Sequence, residues 1–335
     1  MNNSTKRKDR FNFWVYVGFI TATFLTFTLC VCVGSVSIPI KELFSSIIII
    51  QVRLPRVLCV AFTGAALSLC GCAMQGLLRN PLAEGSTLGV SSGAALGAVL
   101  SMAFGLSIPG VDMSALPFTE TTVMAIVFAF LSLLLILGLS YKMDYSLSTN
   151  TIILIGVIFS MFVNSIISLV LAFSDEHAKN IIFWMMGSLA GSTYTNVWTL
   201  LIALIIFGAV ILRYARELNA FAMGEDNARH IGVNVKRVKL IVLISVAALI
   251  GVCVSIGGAI GFVGLVIPHM TRMITGSNHK RLLPASIFSG AIFLMLADLV
   301  GRIILNPLEL PIGVVTSIIG SIVFVYIFYY TRKVG

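Results

Sequence analysis

Charge is scarce in this chain. Only 10% of its 335 residues are Asp, Glu, Lys or Arg and 58% are hydrophobic, whereas a soluble domain is about 25% charged and about 45 to 50% apolar. A chain so poor in charge is not built to dissolve in water. Metal and disulfide frameworks are missing too. The six cysteines (Cys30, Cys32, Cys59, Cys70, Cys72 and Cys253) lie inside apolar stretches without paired ligand spacing, which predicts small buried hydrophobes. His177, His230, His269 and His279 are scattered, so no metal site is expected. No glycine precedes a lysine, which rules out the phosphate loop G-x-x-x-x-G-K-S/T; if ATP drives this protein, another chain binds it. The net charge of +9 does not point to nucleic acid, because the basic residues sit between apolar runs and form no continuous stripe. They suit a lipid surface.

What the chain has is apolar length. Runs centre near residues 22, 64, 97, 131, 163, 205, 248, 266, 292 and 323. A hydrocarbon layer about 30 Å thick needs about 20 apolar residues per helical crossing. Ten transmembrane helices are therefore expected, in an all-α polytopic membrane protein with both termini on one side. Breaks fall at 107–120, 142–150, 175–196, 214–239, 276–284 and 306–311, and the seventh and eighth runs divide around 255–258. Residues 1–10 read as a basic tail carrying Lys6, Arg7, Lys8 and Arg10, and residues 11–335 as one membrane domain. The first apolar run, about 11–33, exceeds the roughly 7 to 15 residues of a signal peptide's apolar region, so it is expected to stay attached. With the amino terminus inside, 17 of the 22 basic residues fall in inner segments, which places both termini in the cytoplasm.

Gly85, Gly89, Gly93 and Gly97 recur every four residues and predict one helical face for close packing. Gly257 with Gly261, and Gly313 with Ser317 and Ser321, repeat that spacing. The stretch GVSSG at 89–93 also spells a hydrolase nucleophile elbow, but that turn needs a preceding strand, and helix packing already accounts for the letters.

The loop at 214–239 carries Arg216, Arg229, Lys236, Arg237 and Lys239 with Glu217, Glu225 and Asp226, and is apolar enough for short helices. It reads either as a dock for a cytosolic partner or as a solvated anchoring loop. Against the positive-inside trend, Arg53 and Arg56 stand where the second run begins and Arg302 where the ninth ends. A guanidinium fork suits bidentate carboxylate binding, which points to an acidic partner outside the cell. Snorkelling, or pairing with Asp298 four residues before Arg302, accounts for them equally simply. A stand-alone secondary transporter would place ionisable groups near the midplane, and the chain offers almost none there. An intramembrane enzyme would need paired carboxylates, a metal cluster or a nucleophile and base, and none is evident.

Four blocks, RLPR at 53–56, RNPLAEGSTLGVSSGAALG at 79–97, GFVGLVIPHMTR at 261–272 and ELPIGV at 309–314, resemble the FecCD and BtuC-like bacterial permeases for iron-siderophores, haem and cobalamin. The resemblance runs from about residue 51 to the carboxyl end. It implies a type II ABC importer permease fold of ten helices, in the bacterial cell membrane, paired with a second copy or a related permease. Two cytosolic ATPase subunits would use ATP and Mg, this chain binding no cofactor, and an external binding protein would deliver the chelate. A ferric siderophore is the expected cargo, with haem or cobalamin as alternatives. By motif match, Arg53, Arg56 and Arg302 would meet the binding protein. Asn80, Leu82, Thr149 and Asn150 would form the inner gates. The path would run along the fifth and tenth helices past Asn164, Ser165, Ser168, Thr316 and Ser317, for which ordinary interhelical hydrogen bonding is the alternative. Gly224, Glu225, Asn227, Ala228, Arg229 and Gly232 resemble the coupling helices that fit a groove on the ATPase.

Overall fold

The computed structural model describes residues 3–34, 46–106, 119–145, 147–174 and 177–334. Most of the expected 107–120 break therefore lies outside the described residues. Every regular element described is a helix, as a hydrocarbon environment demands when backbone groups must be satisfied within the chain. Thirteen α-helices follow one another: α1 (Asn3–Cys32), α2 (Leu54–Leu77), α3 (Val90–Phe104), α4 (Glu120–Met143), α5 (Thr149–Ala172), α6 (Ala178–Met185), α7 (Tyr194–Arg213), α8 (Ala215–Phe221), α9 (Glu225–His230), α10 (Val235–Gly257), α11 (Val263–Thr275), α12 (His279–Ile303) and α13 (Ile312–Val334). A π-helical turn, Ile48–Arg53, leads into α2, and a 3-10 turn, Gly85–Leu88, leads toward α3. Polar residues start several of these rods: Thr119, Thr193, Asn234 and Asn278 each accept a backbone N–H of the first turn.

Each of the ten apolar runs is one helix, but the helices differ in length. Among the described residues, seven helical segments have the length and composition to span a membrane. The third run shortens to the 15 residues of α3, about 22 Å, and the eighth to the 13 residues of α11. The 214–239 loop contains α8 and α9, as its apolar content suggested, while α6 occupies part of the 175–196 break. Pro284 is not in a break but inside α12. The backbone of the basic tail is helical from Asn3 onward.

The central post is α2, nearly all of whose residues are buried, whereas α5 and α1 are mostly exposed, their outer faces left for lipid or another chain. Glycines set how closely α2 is approached. A Cβ on Gly64 would strike the Gly290 carbonyl of α12, and one on Gly71 would strike the Gly264 carbonyl of α11.

The four-residue glycine seam is only half present. Gly93 and Gly97 do lie on α3, against Ser132 and Phe128 of α4, but Gly89 has φ +71° and ends the helix at its start, and Gly85 sits in the 3-10 turn beside Ile250. A residue free to adopt positive φ breaks a helix as readily as it lets one pack. Likewise Gly257 closes α10 and Gly261 lies in the loop beyond it, so that pair forms no helical seam. On α13 the close positions are Gly313, against the Met186 and Ala259 carbonyls, and Gly320, against Phe262. Five cysteines are buried free thiols as expected; Cys32 is exposed.

Candidate functional site

At one end of the bundle, His279 at the start of α12 takes up Asn219 of α8 through its backbone N–H (2.8 Å) and ring Nδ1 (2.9 Å). The short helices α8 and α9 lie at this end. Beside them opens a cleft of about 710 Å³ lined by Leu78, Arg79, Ser148, Thr149, Asn150, Gly224, Glu225, Asp226, Asn227 and Arg229. It joins residues expected in the gate, Thr149 and Asn150, to residues expected in the coupling loop. Asn80 and Leu82 follow directly after Arg79 but are not in its wall; the Asn80 side chain instead accepts the Leu82 N–H at 2.9 Å, and Leu82 is half exposed.

Within the coupling loop, Gly224 at φ +110° turns the chain into α9, and Gly232 at φ +89° turns it out again. Ala228 is the buried foot of α9, and the Asn227 amide donates to the Met223 carbonyl at 2.7 Å. Arg229 pairs with Asp226 at 3.5 Å on an exposed surface, a contact worth little energy in water.

Behind the cleft lining lies a group whose role the sequence reading missed. Lys239 is fully buried; its ammonium donates to Glu225 Oε1 at 2.6 Å and to the Leu147 carbonyl at 2.8 Å. Thr149 Oγ1 donates to the same Glu225 oxygen at 3.2 Å. Leu147 stands at φ +53°, an uncommon backbone for a leucine. The signal was available: Val235, Lys239, Val242 and Val246 share one face of α10, and a lysine among buried valines needs a partner. Lys236, one turn earlier, lies 4.1 Å from the centre of the Tyr141 ring, a cation–π contact that holds α10 to the end of α4.

The opposite end carries the three arginines, and they are not free forks. Arg53, Arg56 and Arg302 are all at most 8% exposed. Arg56 grips Asp298 Oδ1 through Nε (3.0 Å) and Nη2 (2.9 Å), and Glu309 through Nη1 (2.7 Å). Arg302 pairs with Asp298 Oδ2 at 2.9 Å and donates to the Cys30 carbonyl at 3.2 Å, while Arg53 donates to the carbonyls of Val31 and Cys32. Together they staple the end of α1 to α2 and α12. In this structure the three guanidiniums turn toward internal carboxylates and carbonyls, including the Asp298 pairing that the sequence also allowed.

Of the expected path residues, Asn164, Ser165 and Ser168 lie on the exposed face of α5, their two serine hydroxyls bonded back to the helix. Thr316 is fully buried and donates to the Gly313 carbonyl, whereas Ser317 is half-buried and faces Gly261. A smaller cavity of about 110 Å³ lies between α2 and α10, with Thr63, Glu84 and Ser91 among its polar lining. Glu84 lies beside Gly264 and is half-buried.

A profile of the FecCD transport family matches residues 22–330. The chain is 43% identical to an uncharacterized ABC transporter permease protein of Bacillus subtilis, over 84% of this chain and 78% of that one. It is 36% identical to a molybdate import permease of Haemophilus influenzae (86% and 82% covered) and 34% identical to a vitamin B12 import permease of Klebsiella pneumoniae (96% and 95% covered). Among solved structures it resembles one described as an inward-facing metal-chelate type ABC transporter, with a TM-score of 0.84 and 31% identity over 94% of this chain and 99% of that one.

Proposed function

The chain belongs to the FecCD transport family, as a multi-pass permease subunit of an ABC importer, and from that premise we propose that it carries an iron chelate, a ferric siderophore above all, into the cytoplasm. The observation that carries the mechanism is the cleft in which Thr149 and Asn150 meet the α9 loop. The loop built by Gly224, Glu225, Asn227, Ala228, Arg229 and Gly232 is the proposed dock for the ATPase partners, which hydrolyse ATP with Mg. Approach of two ATPases would shift α9, and with it the start of α5. The exposed face of α5 with Asn164, Ser165 and Ser168, and α13 with Ser317, would form the path against a second permease, either another copy or a related chain.

The cleft end and both termini are proposed to be cytoplasmic, on the charge asymmetry of the loops. The Arg302 end then receives the binding protein. Glu309, with a side chain about one-third exposed, is the partner an incoming carboxylate could displace from Arg56. Because Arg56 shares its fork with the partly exposed Glu309, binding of the loaded binding protein to the permease in nanodiscs should weaken as salt rises from about 0.05 to about 0.5 M, over which the screening length falls below roughly 10 Å. Affinity independent of salt would remove the arginines from the proposal.

Cobalamin is the second reading, favoured by the relative named for vitamin B12 import. Proteoliposomes holding the permease and its ATPase subunits, supplied with the operon's binding protein, separate the readings. ATP-dependent uptake of ferric siderophore is expected in preference to haem, cobalamin and molybdate; preference for another cargo replaces the siderophore. In the same vesicles, charge reversal of Glu225 and Arg229 should cut transport per ATP at least tenfold. Unchanged coupling would detach the 224–232 loop from the ATPases.

A further inference from the structure

Three chain segments converge on one buried ammonium. Lys239 rises from α10, Leu147 and Thr149 belong to the turn that starts α5, and Glu225 is the first residue of α9; three hydrogen bonds of 2.6 to 3.2 Å join them. Lysines usually run their stems along apolar surface and keep the charge in water. This one does the reverse, with no exposed surface at all.

The two acidic residues that open α9 also divide their work. The Asp226 side chain is 88% exposed, open to another protein, whereas that of Glu225 is 22% exposed and turned toward Lys239 and Thr149. α9 has six residues, too few to hold its own shape in water. Its internal fixed points are Ala228 and Glu225.

Resting on the importer reading, we infer that Lys239 is a positioning residue for transport, which ties α9 to the Leu147–Thr149 turn so that the ATPase-facing helix and the start of α5 move as one body. α5 is a continuous rod of 24 residues, so a displacement at Thr149 is carried along it to Asn164, Ser165 and Ser168. On this account Glu225 acts inside the permease, and Asp226 and Arg229 supply the outward contact.

The test uses the assembled importer in proteoliposomes, with ATPase subunits and loaded binding protein. K239M is expected to copurify with the ATPase and to lose at least tenfold in cargo moved per ATP, with K239R recovering most of that loss. E225Q is the second variant, read even where K239M does not accumulate, and should lower the same ratio; K239M/E225Q should be no worse than the poorer single variant, because the two act as a unit. Wild-type transport per ATP in K239M or E225Q would overturn the inference, and so would multiplied losses in the double variant. A wild-type chain that binds no ATPase would overturn the importer reading itself before any variant is compared.

Discussion

Asp298→Ala should be among the most damaging single changes in this chain, lowering the melting temperature in detergent by more than 10 °C or preventing accumulation altogether. Asp298 is 2% exposed and shares its two oxygens between Arg56 and Arg302, both buried. Removing one partner of a buried ion pair costs about 3 to 5 kcal/mol, because the charge left behind has neither water nor counterion. Here two guanidiniums lose their partner together. Net stabilities of about 5 to 15 kcal/mol leave little margin for that. Glu309 can still hold Arg56, but the Arg302 guanidinium is left with the backbone carbonyls of Cys30 and Val33. Fluorescence-detected thermal unfolding of Asp298→Ala beside Asp298→Leu/Arg302→Met checks the argument. The double variant, which removes charge from both sides, should be the more stable of the two. A single variant that melts with the wild type would show that the cluster carries no such load.

The second large effect concerns the crossing of α2 and α11. Gly71→Ala places a methyl on the Gly264 carbonyl, so one backbone must move, and overpacking of this kind costs about 1 to 3 kcal/mol or more. Gly264→Ala is milder, because its Cβ would meet the Leu67 carbonyl at 3.0 Å and Gly71 Cα at 3.4 Å, a fit that a small shift relieves. Gly138 of α4 has nothing within 4 Å, and alanine there should be neutral or should gain up to about 1 kcal/mol from helix propensity. The melting temperatures should therefore fall in the order Gly138→Ala, Gly264→Ala, Gly71→Ala. Another order would mean that the α2 and α11 backbones are not packed as closely as described.

The apolar runs were legible because a bilayer imposes length on each helix and tolerates little else. What composition could not reveal was where a run is cut short by its own glycine, as at Gly89, since the same residue serves a packed helix and a positive φ. The arginine cluster was half legible. Arg53, Arg56 and Arg302 stood out by sign, and Asp298 was in view as a neighbour of Arg302. The decisive partners of Arg56 lie 242 and 253 residues away, at a distance that local pattern does not encode. The cleft follows the same logic. Thr149 and Glu225 were each picked out by resemblance, but their contact spans 76 residues, and Lys239, which binds the group together, looked like one more basic residue of a loop. Its place among Val235, Val242 and Val246 is the clue that helical periodicity held.

The two charged clusters also differ in when they can form. As the chain leaves the ribosome, Lys239 emerges after both of its acceptors, 92 residues behind Leu147 and 14 behind Glu225, so its charge can be neutralised as soon as α10 inserts. Arg56 emerges 242 residues before Asp298 and waits through most of synthesis for a carboxylate. A chain interrupted before α12 can thus hold a finished Lys239 node at one end while Arg56 at the other still lacks Asp298 and Glu309. Among the ion pairs described, those at the Arg56 end are the last whose partners emerge, with the arrival of Asp298 and Glu309.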